Sequence, residues 1–432
     1  MPTIERVSAL EILDSRGRPT VRALCVLAGG ASGAASVPAG ASTGTGEALE
    51  LRDGDAHRYG GLGCRKAVGH INGLLNDALM RRSLADQGAL DRVLIEADGA
   101  ENKSRLGANA LLAVSLAFAR ATAMQRGIPL YHHFADMVGA PARALPRPTI
   151  NLFSGGKHAG GQVPIQDVLV VPLTARTVDE ALSMTYAVYE AAAALSFRKY
   201  AMRALTADEG GLAPPFPSVE AMLGDAVEAI RAAGLDAGKD MALAIDLASS
   251  HFYHENWYHL DNGEPLDSDG MIACLIDWLD RYPIVSIEDG LAENDWDAWP
   301  RLYRRVAGRA LVLGDDLLCT NPERIKRAIA LRAADALLLK VNQIGTLTEA
   351  AEAYRVARSA GWSITISARS GETEDDWLAD LAVGWSGDHI KVGSIRQSER
   401  LSKYNRLLAI EQDACLPMAT WPTRTNNSLT DA

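Results

Sequence analysis

Residues 336–367 read ALLLKVNQIGTLTEAAEAYRVARSAGWSITIS. Two short apolar runs, ALLL at 336–339 and SITI at 363–366, flank the segment 346–360, which has the look of an amphipathic helix. Gly361 stands where a helix stop is expected. The stretch therefore predicts strand, helix, strand. The apolar runs are continuous, not alternating, as in strands buried on both faces of a parallel sheet.

The same rhythm extends to both sides. Further apolar runs occur at 241–245 (MALAI), 284–287 (IVSI), 310–314 (ALVLG) and 389–390 (HI), and 270–282 (GMIACLIDWLDRY) is another helix-like segment. So many strand and helix alternations over about 280 residues favour a closed (β/α) barrel over an open sheet. The first ~140 residues differ in texture. Residues 3–12 and 20–28 are β-rich, 29–46 (GGASGAASVPAGASTGTG) is a small-residue stretch expected to be a flexible loop, and 107–126 is strongly helical. Pro129 and the proline-containing 141–148 mark a boundary. The expected organisation is an α/β chain with an α+β domain over 1–140, a barrel over 141–421 and a flexible tail over 422–432.

Composition narrows the function. The chain has 432 residues, 48% hydrophobic, enough for a large core, and 43 basic against 54 acidic side chains give a net charge of −11. An acidic chain without a Lys/Arg run carries no footprint for nucleic acid. No apolar stretch approaches the ~20 residues of a membrane span, and the first residues lack a signal-peptide pattern. Five scattered cysteines without a C-x-x-C pair point to neither disulfides nor structural zinc, and to a reducing cytoplasm.

One charged residue follows each apolar run: Asp246, Glu288, Asp315, Lys340, Arg369 and Lys391, at separations of 42, 27, 25, 29 and 22 residues. The last four separations approximate one βα unit each. In a barrel such positions converge on the face where active sites form. Three carboxylates brought together need a cation. Oxygen donors without sulfur suit Mg²⁺, and lysines facing that cation would have lowered pKa values and could act as bases. A divalent metal beside a base is the arrangement for removing a proton next to a carboxylate and stabilising the enolate; enolase-superfamily sites use this scheme.

The chain resembles the enolase (phosphopyruvate hydratase) family over residues 3–412. The similarity rests on DSRGRPTV at 14–21, GASTGTGEALELRDGD at 40–55, ENKSRLGANALLAVSLA at 101–117, GGKHAGG at 155–161, DEGGLAP at 208–214, YPIVSIEDGL at 282–291, GDDLLCTN at 314–321, LLLKVNQIGTLTEA at 337–350, SARSGETED at 367–375, IKVGS at 390–394 and SERLSKYNRLLAIE at 398–411. The resemblance implies a modified eight-stranded barrel preceded by a smaller α+β domain. It also implies two Mg²⁺ ions per site, a small phosphorylated or phosphonylated carboxylic acid as substrate, and a homodimer or larger oligomer. It assigns Asp246, Glu288 and Asp315 to the metal, and Lys340 to abstraction of the C2 proton. It assigns Lys391 to the substrate carboxylate and its enolate, and Arg369 and Ser370 to phosphate. Ser42 and His158 fall on closing loops, and Glu209 and Asp167 on the leaving-group side.

Two positions depart from the family pattern. Ala368 stands where the active-site histidine is usual, and the usual glutamate is Asp167, one methylene shorter. Both changes fall on the leaving-group side, whereas the metal, base and phosphate positions are intact. Losing an acid/base partner typically costs about 10²–10⁴ in rate. Three readings stay open: an enolase reaction, a carboxyphosphonoenolpyruvate synthase-like enzyme of phosphonate natural-product biosynthesis, and a retired enolase acting as a binding protein. Arg18, Arg22 and Ala207 also depart from the usual residues, the first two near the dimer-forming segment. The histidines of HFYHENWYH (251–259) fit no zinc spacing, the segment GLGCRK (61–66) lacks a phosphate-loop spacing, and Cys319 is read as packing.

Overall fold

The computed structural model describes residues 1–41, 44–201, 203, 205–260 and 263–422. Strands β1 (Ile4–Leu13), β2 (Pro19–Leu27) and β3 (Ser32–Ser36) form an antiparallel sheet in that order. The alanine-rich helix Ala108–Arg126 covers it and stops at Gly127, whose φ is +64°. Over Ser32–Ser36, β3 replaces the loop expected for 29–46. Its small residues serve close packing: a Cβ on Gly33 would lie 2.4 Å from Ala121 N and 2.5 Å from Ala117 O of that helix. Small-residue composition marked a strand pressed against a helix here, not a flexible segment.

The remaining strands are β4 (Arg147–Ser154), β5 (Asp167–Pro172), β6 (Met241–Asp246), the hairpin β7 (Tyr253–His254) and β8 (Trp257–Tyr258), β9 (Ile284–Glu288), β10 (Leu311–Gly314), β11 (Ala336–Leu339), β12 (Ser363–Ser367) and β13 (His389–Gly393). Eight of them close a barrel in the order β10-β11-β12-β13-β4-β5-β6-β9. The strand–helix–strand reading holds: Thr346 caps the helix Leu347–Ser359 by accepting from Glu349 N, and Gly361 follows with φ +75°.

The all-parallel sheet is corrected at one strand. β5 runs antiparallel to both β4 and β6, while the other barrel neighbours are parallel. β4 and β5 are joined by 155–166, which holds only the short helical turn Gly156–His158. A parallel return would need a crossover, usually helical, across the barrel wall. The reversal matters for the site. Asp167, the first residue of β5, lies opposite Asp246, the last of β6, and opposite Ser154, the last of β4. At the far end of the barrel, Trp421 packs among Leu169, Val171, Leu311 and Leu338, with its ring 4.1 Å from that of His389.

Candidate active site

The C-terminal ends of the parallel strands carry the expected charges onto one face. Asp246 ends β6 and Glu288 ends β9; Asp315 and Lys340 directly follow β10 and β11; Lys391 lies within β13. Lys391 Nζ bridges two carboxylates, 2.7 Å from Asp246 Oδ2 and 2.8 and 2.7 Å from the two Glu288 oxygens. Lys340 Nζ pairs with Asp315 Oδ2, whose other oxygen accepts from Gln343 Nε2 at 2.8 Å. Gln166 Nε2 donates to Asp246 Oδ2 at 2.9 Å. All these side chains are buried except that of Lys340, which is nearly so.

The electrostatics show too little positive charge for the acids present. Burial and the neighbouring Asp246 push Glu288 well above the usual carboxylate range, against the pull of Lys391. Asp246 itself is held down to about 2: burial opposes this, but Lys391 outweighs it. Burial and Asp316 push Asp289 well up, and burial and Asp315 push Asp316 up to about 7. Burial works against the ammonium forms of Lys340 and Lys391. Their carboxylate partners win, and both pKa values rise. The lowered lysine values expected beside a cation are thus reversed where the lysines themselves neutralise the acids.

Asp289 and Asp316 were not singled out in the sequence. Their signal is that Glu288-Asp289 and Asp315-Asp316 are acidic doublets. Asp289, at a left-handed φ of +43°, accepts from the backbone N–H groups of Asp315 and Asp316 at 3.0 and 2.7 Å. It ties the ends of β9 and β10 together and thereby places Asp315. Among the described residues, two sets bring ligand atoms within 4.8 Å of one another: Asp289, Asp315 and Asp316, and His158, Asp167 and Glu209. The donor chemistry fits a hard dication, since buried carboxylates predominate and the surplus acids are driven toward their protonated forms. Of the expected trio only Asp315 falls in one of these sets; Asp246 and Glu288 are bridged by Lys391 instead.

Asp167, His158 and Glu209 come together from the reversed strand and two loops. Ser154 Oγ donates to Asp167 Oδ1 at 2.6 Å, and His158 Nδ1 lies 3.1 Å from Asp167 Oδ2. His158 Nε2 is 4.0 Å from Glu209 Oε1, and Glu209 Oε2 accepts from Asn151 Nδ2 at 3.1 Å. Burial would lower the His158 pKa, but Asp167 and Glu209 raise it. Glu209 is held low, because His158 and Arg400 overcome its burial. Ala368 lines the same small cavity, about 20 Å³, with His158, Gln166, Glu209, Lys340, Arg369 and Lys391. That space holds about one water.

Arg369 and Ser370 are held from the N-terminal region. Arg369 donates to both Glu47 oxygens at 2.9 and 3.2 Å and to Asn342 Oδ1 at 3.1 Å. Ser370 Oγ accepts from Ala41 N at 2.7 Å and Arg16 Nη1 at 3.1 Å. Arg400 fixes the backbone by donating to Arg369 O at 2.7 Å and Ser370 O at 2.5 Å. The covering loop also grips Glu293 through Thr45, and Gly44 presses on Cys319: a Cβ there would lie 2.6 Å from Sγ. Cys319 is buried and burial pushes its thiol up, in keeping with packing. Ser42 lies outside the described residues, as does the tail from 423 to 432. His254 and His259 join no metal-type cluster among the described residues.

The fold is a closed eight-stranded barrel with acids and lysines gathered at the C-terminal ends of its parallel strands, the face on which barrel enzymes carry their active sites. The family model for the enolase C-terminal TIM barrel domain matches residues 142–421, and that for the enolase N-terminal domain matches residues 4–134. The chain belongs to the enolase family. No helix among the described residues is long and apolar enough to cross a membrane.

Proposed function

We propose that the protein abstracts the C2 proton of a 2-phosphoglycerate-like acid, in a Mg²⁺-dependent reaction, and forms a phosphoenolpyruvate-type product. The observation that carries this reading is the pairing of Lys340 with Asp315 and of Lys391 with Asp246 and Glu288 at one end of the barrel. Two Mg²⁺ ions per site, one of them on Asp246, Glu288 and Asp315, would supply the positive charge that stabilises a doubly charged enolate. Lys340 takes the C2 proton onto Nζ. It can do so once Asp315 no longer supports its ammonium form, because its burial then lowers its pKa. Lys391 faces the substrate carboxylate. Arg369 and Ser370 hold the phosphate, and Ser42 and His158 belong to the closing loops. Glu209 and Asp167 belong to the leaving-group side. A homodimer or larger oligomer in the cytoplasm completes the reading.

Ala368 favours a second reading. It puts a methyl group in the cavity beside His158 and Glu209, which suits a different or bulkier group at the carbon that loses its substituent. A carboxyphosphonoenolpyruvate synthase-like enzyme, acting on a phosphonylated partner, would use the same enolising residues. The test is proton and phosphorus NMR of 2-phosphoglycerate in deuterated water with Mg²⁺, with Lys340→Ala as control. Deuterium at C2 with rapid phosphoenolpyruvate formation supports the enolase reaction. Deuterium with little phosphoenolpyruvate supports the second reading. No deuterium beyond the control sinks both and leaves a binding protein.

A further inference from the structure

Asp167 has both carboxylate oxygens committed within the protein. Oδ1 accepts from Ser154 Oγ and Oδ2 faces His158 Nδ1. Asp167 is fully buried and does not line the active-site cavity, whereas His158 and Glu209 do. The shorter side chain therefore reaches the histidine and stops there. Ser154 is as tightly placed. It is fully buried and lies opposite Asp167 across β4 and β5, and Gly211 comes so near that a Cβ there would stand 2.4 Å from Ser154 Oγ. The hydroxyl has little freedom to swing away from the carboxylate.

We infer that Ser154 and Asp167 are positioning residues that hold the His158 ring with its Nδ1 proton on Asp167 and its Nε2 turned to Glu209. A carboxylate on one imidazole nitrogen fixes which nitrogen carries a proton and how the ring is aimed. The serine hydroxyl in turn stops the carboxylate from rotating, since a freed Oδ1 would be buried without a partner. On this arrangement His158 and Glu209 are the pair that meets the substituent leaving C3, and Asp167 acts only through His158. This assignment of roles rests on the proposed function; the ring geometry stands without it.

The test uses protein labelled with ¹⁵N-histidine, with His158→Gln identifying the His158 signals among those of the nine histidines. The parent is expected to show a downfield Nδ1–H proton for His158. Ser154→Ala moves that proton upfield or loses it. It also lowers phosphoenolpyruvate formation by about 10–100-fold while the C2 deuterium exchange rate is kept. Gly211→Ala, whose new methyl meets the Ser154 hydroxyl first, gives the same pattern. A parent without the Nδ1–H signal, or a Ser154→Ala protein with unchanged His158 signals, overturns the inference. Absence of C2 exchange in the parent overturns the proposed function instead, and the His158 signals still decide this one.

Discussion

Replacing Lys391 by methionine keeps the stem and removes the ammonium that bridges Asp246 and Glu288. Its three contacts are 2.7–2.8 Å long and all three side chains are buried. Removing one partner of a buried ion pair costs about 3–5 kcal/mol. The low end applies, because Glu288 already sits well above the usual carboxylate range and takes up a proton when Lys391 is gone. An unfolding entropy of about 2.1 cal/mol/K per residue over the 432-residue chain is roughly 0.9 kcal/mol/K, so ~3 kcal/mol lowers Tm by about 3 °C for cooperative unfolding. Mg²⁺ at about 100 times its Kd adds ~2.7 kcal/mol. At one fixed Mg²⁺ concentration the parent gains less, because Lys391 competes for the two acids and weakens the Kd. Calorimetry in EDTA and in excess Mg²⁺ should therefore show a lower Tm in EDTA and a wider Mg²⁺-dependent gap for Lys391→Met, with C2 exchange lost in both conditions. A variant as stable as the parent in EDTA, or a gap no wider, refutes the view that Lys391 stands in for a cation.

Three further outcomes follow from single contacts. Burial and Arg126 hold His133 down to about 4, below the ~6.5 of an unfolded chain. The native state then binds fewer protons between those values, so stability falls as pH drops from about 6.5 to 4, by up to ~3 kcal/mol. His133→Gln should flatten that slope in urea titrations across the range, and parallel curves for parent and variant would reject it. Gly33→Ala should cost about 1–3 kcal/mol by overpacking against the helix Ala108–Arg126, and an unchanged urea midpoint would mean that sheet and helix can separate freely. Glu47→Gln weakens the charge-assisted grip on Arg369 and should raise KM for 2-phosphoglycerate about tenfold, within the ~1.5–3 kcal/mol of such a bond. A fall in KM would instead make Glu47 a competitor for the phosphate.

The barrel and its charged rim were legible because buried parallel strands leave two independent marks, a continuous apolar run and a polar residue where the strand ends. Asp246, Glu288, Asp315, Lys340, Arg369 and Lys391 carry both marks, and the structure brings them to one face. β4 stayed hidden for a physical reason, whereas β5 carries the apolar run VLVV at 168–171. RPTINLFS mixes polar residues into a strand that is buried at every position, because Asn151 and Ser154 serve Glu209 and Asp167 inside the site. β3 was hidden by its alanines and glycine, which read as a loop until the helix they press against is in place. The direction of a strand leaves no mark in its own residues, so the reversal of β5 could not be read from DVLVVP.

That reversal also sets Asp167 apart from the other charged positions. A parallel strand presents its last residue to the site, and the metal and lysine positions are of that kind; their spacing is set by whole βα units. Asp167 instead begins a strand, next to a loop that carries His158 nine residues earlier. The β5 ladder to β6 is in register, and that to β4 has one irregularity, between Asn151 and Phe153. Ser154 and His158 take both oxygens of the Asp167 carboxylate. Ala368 lines the same cavity as His158, Glu209 and both lysines, so the proposed function is tested by measuring C2 exchange and product formation as separate rates.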